Sequence, residues 1–180
     1  CITPFGALLL EGALMEWTAV FKRDYQGLDD IKVGFIFCSF AITMALSRYS
    51  GDYIIDQLSI DRTIILSIIL SGLGMLLYAL SASVIPSMIG AAMVGAGIAN
   101  IYPITMTLAA SEPGSKEKNV SVVAFVSFTS FLLGPPLIGF VGEYFGLSIA
   151  LTIIAPASLC PLFYLLEKNK KKIMLKMKEN

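Results

Sequence analysis

Histidine is missing from all 180 residues, and the sequence holds only three cysteines, a single tryptophan and few charges. Without histidine, Ser-His nucleophile chemistry and histidine-bound metal centres are excluded. Cys38 and Cys160 lie inside apolar stretches, where cysteine behaves as a small hydrophobe, so no disulfide framework is expected. Charged residues make up 14% of the chain, against roughly 25% in a soluble domain. With 56% hydrophobic residues, no water-soluble fold would keep the apolar surface dry. Phosphate loops, nucleic-acid patches and metal clusters are not visible, and neither a cofactor nor a nucleic-acid partner is expected.

What is present is a series of six apolar stretches, Ile2 to Phe21, Val33 to Ile54, Thr63 to Ala82, Pro86 to Ala110, Val120 to Val141 and Leu147 to Leu166. A hydrocarbon core about 30 Å thick takes roughly 20 helical residues to span, so each stretch is long enough to cross a bilayer. The gaps are too short for a soluble domain. A transmembrane barrel would alternate apolar and polar residues, whereas Ile64 to Leu70 is nearly unbroken. The expected fold is all-α, a polytopic membrane helical bundle over residues 1–166 with a basic tail over 167–180. The first stretch is too long for a signal peptide, lacks a basic leader and carries two glutamates. The chain opens with Cys1 rather than methionine. We expect a piece of a longer protein, with a lipidated N-terminal cysteine as the alternative.

Basic residues in the connections are lopsided. Arg48, Arg62, Lys116, Lys118, Lys168, Lys170, Lys171, Lys172, Lys176 and Lys178 fall on one side, and Lys22, Arg23 and Lys32 on the other. The positive-inside rule then places both ends in the cytoplasm, in agreement with an even number of spans. A multi-pass membrane protein follows. The sequon Asn119-Val120-Ser121 is discarded because this topology puts it in the cytoplasm. The tail from Lys168 to Asn180 reads as a stop-transfer and orientation signal, or as a segment lying against anionic lipid.

Ionised side chains inside a membrane are costly and usually functional. Glu11 lies near the middle of the first span, and Glu16, with Trp17 beside it, lies closer to the outer end. At 100° per residue the two glutamates point about 140° apart, so they are not a paired acid. Glu11 is read as a group that binds a proton or a substrate hydroxyl, or else as a protonated packing residue. In the fourth span, Pro103 of Asn100-Ile101-Tyr102-Pro103 has no N–H for the carbonyl of Ala99, so a kink with an open oxygen is expected there. Counting from the span ends puts Asn100 and Glu11 within about 5 Å of one depth, which allows a shared site. Asn100 joining a neighbouring helix is the other reading. Two polar stripes, Ser39, Thr43 and Ser47 in one span and Ser127, Ser130 and Gly134 in another, are read as helix packing, as is Ala91, Gly95 and Ala99.

The segment Arg48 to Arg62 contains Gly51, Asp52, Asp56, Gln57 and Ser59. It resembles the loop signature of the major facilitator superfamily, a glycine followed by an aspartate, a basic residue, a second glycine and more basic residues. Asp56 matches, Gly51 sits one place early, Gln57 replaces the basic residue, Ser59 replaces the second glycine and Arg62 remains of the basic run. Gly134-Pro135-Pro136 and the turn Gly142 to Gly146 look like the family's Gly-Pro helix and its exit. Glu11 to Trp17 is similar to bacterial inner-membrane members related to fucose permease. The resemblance covers the whole chain and aligns it with the C-terminal six helices of a twelve-helix transporter.

The resemblance implies two inverted three-helix repeats, a missing N-terminal six-helix half, and alternating access for a small-molecule substrate with H+ as a candidate coupling ion. It implies a central site supplied in part by Glu11 and Asn100, with Glu16, Trp17 and Tyr102 as further candidates. Pro103 and Gly134, Pro135 and Pro136 would bend helices, and Arg48, Gly51, Asp52, Asp56 and Arg62 would form a cytoplasmic gate or loop anchor. Few charges inside the bundle argue against a strongly charged solute and suit a neutral polar molecule such as a sugar. A six-helix half-transporter that pairs with a second subunit, and a structural or signalling membrane protein, stay open. An intramembrane enzyme is not expected, since Asp52 and Asp56 lack the paired motifs of aspartyl membrane proteases.

Overall fold

The computed structural model describes residues 3–168. Cys1 and most of the basic tail, with the lipid-contact reading attached to it, lie outside the described residues. The elements are α1 (Phe5–Ala19), which runs straight into a π-helical stretch (Val20–Tyr25), α2 (Asp30–Tyr49), α3 (Gly51–Leu80), α4 (Val84–Ile98), α5 (Ile101–Ser111), α6 (Lys116–Phe145) and α7 (Leu147–Ile154). A 3-10 segment (Ala155–Leu159) follows α7, and a helix resumes over 162–168. There is no strand among the described residues.

Local chemistry sets the boundaries. Asp29 caps α2 by accepting from the Lys32 amide at 2.9 Å, and Ser115 caps α6 in the same way. Gly146, at φ 86°, stops α6 in a conformation that costs glycine least. Five helical units, Asp30–Tyr49, Gly51–Leu80, Val84–Ser111, Lys116–Phe145 and Leu147–Lys168, are long and apolar enough to cross a membrane. The first span differs. Its α-helix has 15 residues and its π extension six, so the rod is about 30 Å long, but it carries Glu11, Glu16, Lys22, Arg23 and Asp24.

Three expected boundaries move. The second span ends at Tyr49, not Ile54. The connection from Ile55 to Arg62, expected as a loop, is helical and is interrupted at Ser59 alone. The sixth span, expected to be continuous, loosens into the 3-10 segment because Pro156 and Pro161 remove two helix donors.

The bundle repeats itself. α1, α2 and α3 form one three-helix unit, and α4–α5, α6 and Leu147–Lys168 form the second. α2 and α3 pack along α4, while α6 and the 3-10 segment pack along α1, so each unit's second and third helices clasp the other unit's first. The breaks correspond as well. α1 and α4 each run 15 residues before an irregularity. α7 runs eight residues before its own, and α3 reaches Ser59 after the same length. Three crossings are an odd number, so the second unit starts from the opposite face.

Both seams use the same chemistry. Ser39 and Thr43 of α2 donate to the carbonyls of Met88 and Ala92 on α4, each at 3.0 Å. Ser130 of α6 donates to the carbonyl of Phe5 on α1 at 2.6 Å. Small residues bring the backbones this close. A side chain on Gly95 would run into the Phe40 carbonyl, and one on Gly6 into the Ala157 carbonyl.

Lys22, counted in the sequence only as an orientation charge, is fully buried. Its Nζ donates to the carbonyls of Tyr78 at 2.8 Å and Ser81 at 2.7 Å and to Gln26 Oε1 at 3.1 Å, and it lies over the Phe21 and Tyr78 rings. Three acceptors match the three N–H bonds of an ammonium. The contact ties the far end of α1 to the last turn of α3, whose carbonyls have no donor in their own helix.

Gly95→Ala should force α2 and α4 apart and cost about 1–3 kcal/mol, read as a lower midpoint of thermal unfolding in detergent. Gly34→Ala, which meets nothing within 4 Å, should leave that midpoint unchanged or raise it. Lys22→Met keeps the stem but strands the Tyr78 and Ser81 carbonyls, and a loss of about 1–3 kcal/mol is expected in the same measurement.

Candidate functional site

Glu11 sits two turns into α1 with its side chain 16% exposed. The nitrogen Nη2 of Arg48, from the last turn of α2, lies 3.3 Å from its Oε2 and 3.4 Å from its Oε1. Arg48 Nε donates to the carbonyl of Ala99 at 3.3 Å. That is the oxygen Pro103 leaves without an N–H, and the helix is interrupted there, between Ile98 and Ile101. Asn100, 5% exposed, donates through Nδ2 to the carbonyl of Ser47 at 3.2 Å. Its Oδ1 occupies the space that a side chain on Gly51 would need.

Glu11, Arg48 and Asn100 therefore form one cluster, built from α1, the end of α2 and the break between α4 and α5. It joins both three-helix units. Chemically it offers a carboxylate and a guanidinium in contact and a buried amide on the adjoining backbone, a set suited to holding a polar solute or moving a proton.

Arg48 and Gly51 were expected at a gate, apart from the central carboxylate. The structure puts them with Glu11 and Asn100 instead, because the α2–α3 junction is tucked under the α4–α5 break. Sequence spacing carries no signal for an Arg48 contact 37 residues from its partner. Glu11 was read as a lone desolvated acid; it has a cation beside it. Asp52, Asp56 and Arg62 are exposed and form no ion pair among the described residues. Asp61 at this end does form an ion pair, its carboxylate lying 2.6 Å from Lys168 Nζ. It joins α3 to the final helix.

The remaining candidates scatter. Glu16 is exposed and separate from the cluster. Trp17 Nε1 donates to the carbonyl of Pro135 at 3.1 Å, and its ring fills the space beside Gly139. It anchors α1 on α6. Gly134 is a close-packing position against Leu9, and α6 continues as one helix through Pro135 and Pro136. Tyr102 is half-buried against the core. A separate cavity of about 400 Å³, lined by Thr105, Glu112, Lys118, Asn119 and Tyr164 among others, contains none of Glu11, Arg48 and Asn100.

At the Lys22 end the charges are locally engaged. Arg23 pairs with Asp24 at 2.6 Å and Lys32 with Asp29 at 2.5 Å, and the hydrogen bonds from Lys32 hold the Asp29 carboxyl below the usual range. At the other end Arg62, Lys116 and Lys118 form no salt bridge among the described residues.

Residues 5–178 match the family profile described as Major Facilitator Superfamily. An uncharacterized MFS-type transporter of Yersinia pestis is 29% identical over 152 residues, covering 84% of this chain and 40% of the relative. Membrane protein MosC of Rhizobium meliloti is 30% identical over 154 residues, covering 85% and 38%. An uncharacterized transporter of Sinorhizobium fredii is 24% identical over 136 residues, covering 74% and 36%. The chain thus spans about two fifths of the length of these relatives.

Ser59, the residue standing where the signature has its second glycine, has φ 70° and ψ 157°. A side chain is strained there by about 1–3 kcal/mol. Ser59→Gly should relieve part of that strain and stabilise the protein by about 1 kcal/mol, seen as a raised unfolding midpoint; a lowered midpoint would contradict the assignment of Ser59 to this role.

Proposed function

This chain belongs to the major facilitator superfamily, and from that premise we propose that it forms the C-terminal six-helix half of a secondary active transporter. The missing N-terminal half would complete a path between two bundles, and rocking of one bundle against the other would move a small polar solute by alternating access. The observation that carries this reading is the Glu11–Arg48–Asn100 cluster, an ion pair and a buried amide where the two three-helix units meet. Such groups are rare within membrane spans and mark solute and proton paths. Glu11 would take up and release the coupling H+, losing and regaining its ion pair with the permanently charged Arg48 as the halves rock.

The same reading sets the protein in the cell (inner) membrane with both ends of this segment cytoplasmic. The end bearing Arg62, Lys116 and Lys118 carries the unpaired basic charge, and at the opposite end each basic side chain is engaged locally. Asp61 with Lys168 supports a cytoplasmic clamp between the two repeats.

The test is uptake and efflux of a panel of labelled sugars and small metabolites in vesicles carrying the full-length parent, comparing the native protein with Glu11→Gln at several pH values. A pH-dependent signal that the substitution abolishes is expected. A signal that persists with its pH dependence intact would reduce Glu11 to a packing residue, and a panel with no signal in the native protein would favour a structural or signalling role.

A further inference from the structure

We infer that Arg48 anchors an anionic group of the transported solute, such as a carboxylate, and that Glu11 is the internal counter-ion which that group displaces. The inference rests on the transport-site reading above and deepens it.

The two charges of the pair are unequally available. Glu11 is 16% exposed and Arg48 42% exposed, so an arriving solute meets the guanidinium first. Nη2 is shared between both Glu11 oxygens at 3.3 and 3.4 Å, well beyond the roughly 2.7–2.9 Å of a strong charge-assisted bond. In the same structure Lys168 reaches Asp61 at 2.6 Å. The Glu11 contact is therefore loose. Nε donates to the Ala99 carbonyl at 3.3 Å, a second long bond that orients the guanidinium without locking it, and Nη1 has no hydrogen-bond partner among the described residues. A planar fork so oriented, with an open edge, is the geometry that takes a carboxylate or phosphate in two parallel bonds. On the transport-site reading above, this open edge borders the solute path.

A scarcity of charge inside the bundle suits a neutral sugar only while Arg48 sits at the membrane edge. Beside Glu11, Arg48 adds a cation to the site and favours an anion. An amine is disfavoured because the carboxylate that would receive it is the covered partner. On binding, the solute anion takes over the Arg48 charge, and Glu11 either stays ionised nearby or accepts a proton from the aqueous side.

The experiment is protection of Arg48 from phenylglyoxal, an arginine-directed dicarbonyl, in the full-length parent in native membranes. Labelling is read by peptide mass, with Arg23 and Arg62 as internal references. Gluconate, glucose and glucosamine present one carbon skeleton with an acidic, a neutral and a basic head, and acetate, lactate and phosphate widen the set of anions. Arg48 should label, at least one of these anions should slow that labelling at constant ionic strength, and glucose and glucosamine should not. Glu11→Gln should speed the labelling and lower the anion concentration for half protection about tenfold. Any of three results would overturn the inference: no labelling of Arg48 while the reference arginines react, protection by glucose or glucosamine equal to that by the anions, or no protection by any anion. Because labelling needs no transport, anion protection without uptake would remove the transport reading and keep the anion site. Uptake without anion protection would do the reverse.

Discussion

The carbonyl oxygen of Ala99 is the point on which the centre of this bundle turns. Inside a bilayer there is no water to satisfy an open backbone acceptor, so a helix that loses a donor must find another within the protein. Pro103 creates the vacancy, and Arg48 fills it from the end of α2. Once Nε is committed to that oxygen, the rest of the guanidinium lies against α1, beside Glu11. Asn100 follows from the same break: released from the helix interior, its amide reaches the Ser47 carbonyl and closes over Gly51. One missing N–H thus places a charge pair where helices from both repeats meet.

The scaffold that holds this cluster is built twice. In each half of the chain, the second and third helices clasp the first helix of the other half. Lipid supplies no hydrophobic drive between helices, so these seams depend on close backbone approach and on hydroxyls donating across it, bonds averaging about 0.6 kcal/mol each. Ser39 and Thr43 serve one seam, and Ser130 serves the other. Individually weak, the contacts are numerous and sit beside glycines that cannot be enlarged without pushing a backbone away.

Charge is handled differently at the two ends. Lys22 is spent inside the protein, on the open carbonyls of Tyr78 and Ser81, and Arg23 and Lys32 are held by adjacent carboxylates. At the opposite end Arg62, Lys116 and Lys118 form no salt bridge among the described residues, while Asp61 and Lys168 tie two helices together. A count of lysines and arginines captures the asymmetry, but not that Lys22 is a structural bond.

The sequence by itself determined the all-α membrane fold, because an apolar run of about 20 residues has few other ways to satisfy its backbone in lipid. It also determined the interruption at Ala99 and Asn100, because proline removes a donor wherever it sits inside a helix. The packing role of the Ser39 and Ser130 stripes was legible for a related reason: residues three or four apart share one helix face. Only the tertiary structure decided which side chains meet. Arg48 meets Glu11, the Trp17 indole meets the Pro135 carbonyl, and Lys22 meets the last turn of α3. Each of these contacts joins helices whose separation along the chain says nothing about their crossing point, and that point is fixed by how closely glycine and alanine let the backbones approach.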